Sequence, residues 1–390
     1  MITTDDALKI IINNVKSKDS EFISLEKALD RIAYDNIYSP IDSPSFDKSA
    51  MDGYAIIFKD NSKTFNIVED EKDFAPGCAM RVNTGFPIPE GADSIVEVEK
   101  VSVKEKKLTL IPDNIERYRN FTFKGSEFKK GTLLVKKGER ISVRKQALIA
   151  YSSIAELKVY KKPVIGIITT GNEVIFPGDT PQKNKVYNAN YIIAKGLIKK
   201  WGCDAVYFGH IKDSVESLKK HFRYALSHCD ILVTTGGVSM GSADFTKRVL
   251  KDIGVNIIFD KTDIKPGKPM TFGMKENKLI FAMPGWPAAL YVTAYKFLRP
   301  ALYKFAGRND YMQPQFDCKT KDNLHSRVGK NYVNSVNVEY KESKFYCKKS
   351  GPQKTDNFYS VACADGFVEI EKDKGNVSKS EMLPLVLLDD

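Results

Sequence analysis

Between Pro163 and Gly307 short apolar runs alternate with longer segments of helical spacing: VIGIITTG, NANYIIAKGLIKKWG, AVYFGHI, SVESLKKHFRYALSHC, DILVTTGG, SADFTKRVLKDIG and NIIFD. Strands alternating with helices of about ten to fifteen residues build βαβ units, hence a mostly parallel sheet covered by helices. MTFGMKENKLIFAM then reads as a hairpin and Pro287 to Phe305 as a closing helix. Open sheets of this kind bind ligands beyond the carboxyl ends of their strands. Two similar strand-end loops, ITTGNEV at 168–174 and VTTGGVS at 233–239, are therefore where chemistry is expected. Gly236 and Gly237 free the backbone for positive φ or for close approach of a ligand. Ser242 can cap the following helix, whose N-terminal donors favour an anion.

With 390 residues the chain exceeds one ordinary core, and about 150 residues per domain implies about two to four domains. Thr4, Asp5 and Asp6 start an amphipathic helix carrying Ala7, Leu8, Ile11, Ile12 and Val15, and a second helix is expected from Ser24 through Ile32. The proline-punctuated SPIDSPSFDKSAMDGYAI marks a boundary near residue 40. The predicted layout is an N-terminal helical and connecting segment (1–40), a β-rich insert (41–130), a return of the connecting domain (131–160), the α/β domain (161–307) and a C-terminal β domain (308–390). GTLLVKKGERIS predicts a strand and turn, and Val143 to Tyr151 a helix.

Several function classes are disfavoured. Six cysteines without a CxxC pair and four histidines without ligand spacing show neither a zinc site nor a disulfide framework. The net charge of +11 comes from lysines interspersed with acids and no nucleic-acid motif accompanies it, so nucleic acid is not an expected partner. No apolar stretch reaches the roughly 18 residues of a membrane span, and MITTDDALKI lacks a basic signal region. A cytoplasmic protein without membrane contact is expected.

At the strand ends Glu173 and Asp244 are the acids placed to act, whereas Asp230 begins its strand and is as readily a turn residue. Asp244 in a first helical turn also suits dipole compensation. Carboxylates beside a phosphate-binding loop suit Mg²⁺, which takes one or two acids together with phosphate oxygens and waters. IKPGKP at 264–269 sets Lys265 and Lys268 on a proline-stiffened loop, an anion clamp. PSFDKSAMDGYA at 44–55, TGFPIPEGAD at 84–93 and MPGWPAA at 283–289 are individually close to ordinary turn sequences.

In this order, however, SAMDGYA, NTGFPIPEGAD, TTGNE, TTGGVSMGSADFTK, IKPGKP and MPGWPAA resemble the successive motifs of the molybdopterin molybdenumtransferase family, MoeA and the gephyrin E domain. The resemblance spans almost the whole chain. It implies an elongated multidomain α/β protein with a three-layer α/β/α domain like MogA, a β-rich insert, a connecting domain and a C-terminal barrel-like domain. The activity implied is insertion of molybdenum from molybdate into adenylylated molybdopterin, with release of AMP and the help of Mg²⁺. The resemblance assigns catalysis to Asp52, Glu173 and Asp244, which are also the metal ligands. Substrate binding falls to Thr84, Gly236, Gly237, Ser239, Lys265, Lys268, Pro284 and Ser360, the serine belonging to a molybdate pocket. The site is implied to lie between the subunits of a homodimer, with Asp52 and Thr84 acting in trans, and molybdopterin adenylyltransferase is an implied contact. Two positions depart from the family pattern: Glu127 stands where an aspartate is usual, and Trp286 replaces the asparagine of Pro-Gly-Asn-Pro. Alternative readings are the adenylyltransferase itself, which shares the TTGG sheet domain, and a gephyrin-like scaffold without catalysis.

Overall fold

The computed structural model describes residues 1–58, 62–111, 115–236 and 243–389, with the backbone alone at 243 and 244. The alternating segment forms a six-stranded sheet in the order Asp204–Ile211, Val164–Thr170, Ile231–Thr235, Lys278–Met283, Thr271–Lys275, Asn256–Phe259. The first four strands are parallel, and the expected hairpin adds the antiparallel edge. Successive residues face opposite sides. Ile165, Ile167, Ile231, Val233 and Phe281 pack on one face with Leu197 and Ile198 of the helix Ala189–Lys200 and with the closing helical run. Ile168, Leu232 and Ile280 pack on the other with Leu218 and Phe222 of Val215–His228 and Val249 and Leu250 of Ala243–Asp252. Burial on both sides is why these strands read as continuous apolar runs. The closing run is Pro287–Thr293, a π-helical turn Ala294–Leu298, and Arg299–Phe305.

The first helix, Thr4–Asn14, is capped by Thr3 and places Ala7 and Ile11 in the same core as Ile165, so it packs on the α/β domain. The connecting domain pairs Ser20–Ser24 with Glu156–Tyr160 and Ile37–Tyr38 with Leu133–Val135, around the helix Val143–Tyr151. The helix expected from Ser24 through Ile32 does not form: the strand Ser20–Ser24 runs into a 3₁₀ turn, Leu25–Lys27. Pairing with residues distant in sequence captures its start, and Asp30, with φ 61°, takes a left-handed backbone no helix continues through.

The insert is a six-stranded sheet ordered Ser94–Glu97, Gly53–Ile56, Cys78–Val82, Thr64–Val68, Lys107–Leu110, Val101–Lys104. In the C-terminal domain Asn331–Lys341, Lys344–Lys349, Phe316–Thr320, Met382–Leu387 and Gly366–Ile370 close on themselves, the last pairing back with the first. This closed five-stranded sheet bears out the barrel-like expectation. A short strand of the α/β domain, Ile264–Lys265, pairs alongside Asn331–Lys341 in parallel, Ile264 opposite Asn331 and Lys265 opposite Tyr332. Phe367 of the barrel packs edge-on against Tyr291 and Tyr295 of the closing run. Among the described residues no helix is long and apolar enough to cross a membrane.

Candidate active site

The carboxyl ends of the parallel strands converge closely enough to dictate their glycines. Gly236 has φ 95°, and a Cβ there would lie 2.1 Å from the Thr170 carbonyl oxygen. A Cβ on Gly285 would lie 3.4 Å from the Gly236 Cα. Asn190 braces this meeting point: its amide donates to Thr235 Oγ1 (2.9 Å) and to the Gly285 carbonyl (2.7 Å). The Thr235 hydroxyl in turn donates to the carbonyl of Pro284 (2.9 Å), placing that proline in the same cluster. Gly237, Ser239 and the Asp244 side chain, named from the sequence, lie outside the described residues.

Glu173 turns back over Gly171, where a Cβ would come within 2.6 Å of Glu173 Oε1. His210 anchors the loop. The Gly171 carbonyl can only accept, so His210 Nε2 donates to it (2.8 Å) and Nδ1 is left for the Thr169 hydroxyl (3.1 Å). Asp213 follows the adjacent strand Asp204–Ile211, its N–H donating to Asn172 Oδ1 (3.1 Å). This acid was not singled out from the sequence. Burial, with the nearby Glu173 charge adding to it, pushes the Asp213 carboxyl above the usual range, while the backbone N–H of Asn172 opposes the shift. Its Oδ1 is buried and has no hydrogen-bond partner. By contrast Asp230 accepts from the Val164 N–H (2.7 Å) and pairs with Lys18 (2.6 Å), a structural role at the other end of the sheet.

A raised carboxyl pKa is a cost to folding once the group ionises. That cost is absent at low pH and grows as pH rises through the folded-state value. In EDTA, Asp213→Asn should therefore raise Tm at pH 7 by about 1–3 °C, small because the group is partly solvated. The gap should close as pH falls through the raised value to the ordinary carboxylate range, and a variant less stable than wild type at pH 7 would contradict the assignment.

Lys265 and Lys268 lie where the α/β domain meets the barrel. Lys265 lines a cavity of about 250 Å³ together with Ser360, Lys349, Lys354, Asn334 and Tyr332, and no carboxylate lines it. The Lys265 ammonium lies 4.9 Å from the Tyr332 ring centroid and 3.4 Å from its hydroxyl. Ala288, two residues beyond Trp286, forms part of the same wall. Ser360 is buried, and its hydroxyl proton is taken by the backbone carbonyl of Pro352 (2.9 Å) or by Asn357 Oδ1 (3.1 Å). Lys265, Lys349 and Lys354 supply the cavity's cationic donors. The buried Asn334 amide nitrogen has no partner. Lys268 lines an adjoining cavity of about 200 Å³ with Lys265 and Lys330.

Asp52 and Thr84, drawn from separate motifs of the insert, meet. Asp52 Oδ1 accepts from the Thr84 N–H (2.7 Å) and hydroxyl (2.9 Å), which hold its carboxyl below the usual range. Met51 and Phe86 beside them are exposed. Glu127 lies elsewhere in the insert, accepting from Ser43 (2.8 Å) and Tyr151 (3.4 Å). Among the described residues no three acids, histidines or cysteines gather as a metal site. Asp52 and Glu173 thus stand in different domains of one chain.

Comparison with known proteins agrees with this architecture. Residues 2–152 match the family model described as MoeA N-terminal region (domain I and II), and residues 166–304 match the probable molybdopterin binding domain. The molybdopterin molybdenumtransferase of Haemophilus influenzae is 31% identical over 99% of this chain and 98% of its own. That of Bacillus subtilis is 28% identical over 94% and 89%. The crystal structure of a molybdopterin biosynthesis MoeA protein from Pyrococcus horikoshii superposes with a TM-score of 0.85 at 28% identity, covering 99% of each chain. This chain belongs to the molybdopterin molybdenumtransferase family, transferases of molybdenum cofactor biosynthesis.

Proposed function

We propose that this transferase inserts molybdenum from molybdate into adenylylated molybdopterin and releases AMP. The observation that carries the reading is the cavity at Lys265, lined by three lysines and no carboxylate. Molybdate is a tetrahedral dianion, and ammonium donors without competing acids suit it. The pyrophosphate of the adenylylated pterin would lie at the strand ends, where Gly236 opens the backbone. Glu173 and Asp213 fit a divalent cation: both are oxygen donors, and Asp213 Oδ1 is buried and unpartnered. Two acids completed by phosphate oxygens and water is the usual Mg²⁺ arrangement, with Asp244 a further ligand of the proposed set. When bound, the cation would neutralise phosphate charge.

Purified protein supplied with adenylylated molybdopterin, Mg²⁺ and molybdate should release AMP only when molybdate is present. Formation of the adenylylated pterin from ATP and free molybdopterin would instead identify an adenylyltransferase, and inactivity with intact binding would favour a scaffold.

Asp52 and Thr84 enter the proposal from a second copy of the chain, with Asp52 orienting water or metal for cleavage of the phosphoanhydride. Their pairing in the insert, flanked by exposed Met51 and Phe86, supports this arrangement. Mixing Asp52→Ala with Glu173→Ala chains should then restore activity. Random exchange makes half the dimers mixed, each with one intact site, so about a quarter of wild-type activity is expected. Activity no higher than in either parent would exclude a site shared in trans.

A further inference from the structure

Trp286 departs from the family pattern and has no part in the proposed reaction. It sits at the N-cap of Pro287–Thr293 without making a side-chain cap bond, and it is 56% exposed. Ser, Thr, Asp and Asn are the favoured residues there because their side chains satisfy a free helix N–H. The tryptophan forgoes that bond and leaves a large apolar ring in water. It therefore contributes little to the fold.

Its loop is nevertheless firmly placed. The carbonyls on either side of the Pro284–Gly285 bond are held by Thr235 (2.9 Å) and Asn190 (2.7 Å), and Gly285 lies against Gly236 at the sheet edge. No aromatic partner stacks on the indole among the described residues. The other tryptophan, Trp201, is buried and packs edge-on against Tyr295 at 5.3 Å. A fixed loop presenting an indole without a stacking partner next to the strand ends provides a platform for a flat ring attached to a phosphate.

We infer that Trp286 is a substrate-binding residue that stacks on a planar heterocycle of the substrate. This rests on the adenylylated pterin read above, which offers an adenine and a pterin as the two sources of such a ring. Stacking needs only a π-face, so it would tolerate either.

The test uses the full chain, with AMP as the adenine probe, neopterin as the pterin probe and ribose 5-phosphate as the control without a base. Calorimetric titration of wild type and Trp286→Ala should show affinity for one ring compound falling about tenfold, the scale of a lost aromatic stack. Trp286→Phe should retain most of that affinity, and ribose 5-phosphate should bind all variants alike. The ring compound that loses affinity identifies the partner and should quench the exposed tryptophan in wild type. Trp286→Asn, which restores a capping side chain, should melt at or above the wild-type temperature, showing that the position is dispensable for folding. Equal affinity of wild type and Trp286→Ala for both ring compounds overturns the assignment alone. A wild type that binds neither overturns the adenylylated-substrate reading, and the assignment with it.

Discussion

Glu173→Ala should lower molybdate-dependent AMP release about a hundredfold, within the range typical of a positioned acid or base. The variant should remain folded. Glu173 is exposed, and among the described residues its carboxylate accepts no hydrogen bond, so truncation leaves no orphaned partner. Its placement over Gly171, with that loop anchored through His210, aims the group at the strand ends. Asp213→Asn should reduce turnover by a comparable factor. The double variant should lose far less than the product of the two, because both acids face one ligand. Single-turnover AMP release at saturating Mg²⁺ reads this directly. A wild-type rate for Glu173→Ala would remove the sheet edge from the reaction.

The second large effect concerns the oxyanion. Lys265→Glu should raise the molybdate KM at least about tenfold, since it exchanges attraction for repulsion inside a partly desolvated cavity. Lys265→Met, which keeps much of the stem and drops the charge, should fall between. Lys268→Glu should have the smaller effect, because Lys268 lines only the adjoining cavity whereas Lys265 lines both. Affinity for AMP in the absence of molybdate should change less than affinity for molybdate. Equal sensitivity of the two ligands to Lys265→Glu would mean that the lysine serves the phosphates and that the cavity is not the oxyanion site.

The sheet domain was legible because two-sided burial leaves its mark on sequence: strands such as VIGIITTG and DILVTTGG are apolar throughout and their ends carry glycine. Glu173 followed from that logic, and Asp213 could have. It stands just past the end of AVYFGHI, the strand next to VIGIITTG, with the same claim to the sheet edge. The barrel side of the cavity was less accessible. Ser360 came from a loose family match, whereas Lys349, Lys354 and Asn334 share a cavity with Lys265 because its short strand pairs with Asn331–Lys341, far away in the chain. No local periodicity encodes such meetings. The misread helix after Ser24 has the same origin, since its partner strand lies more than a hundred residues away.

The pairing of Ile264–Lys265 with Asn331–Lys341 makes one backbone ladder out of two domains. Lys265 is therefore held in place by the barrel as much as by the sheet from which its chain emerges. Opening of this seam would cost the lysine its alignment to Ser360. Molybdate affinity should consequently report the integrity of both domains at once. In the proposed reaction, a chain opened at this seam would lose molybdate rather than misplace it.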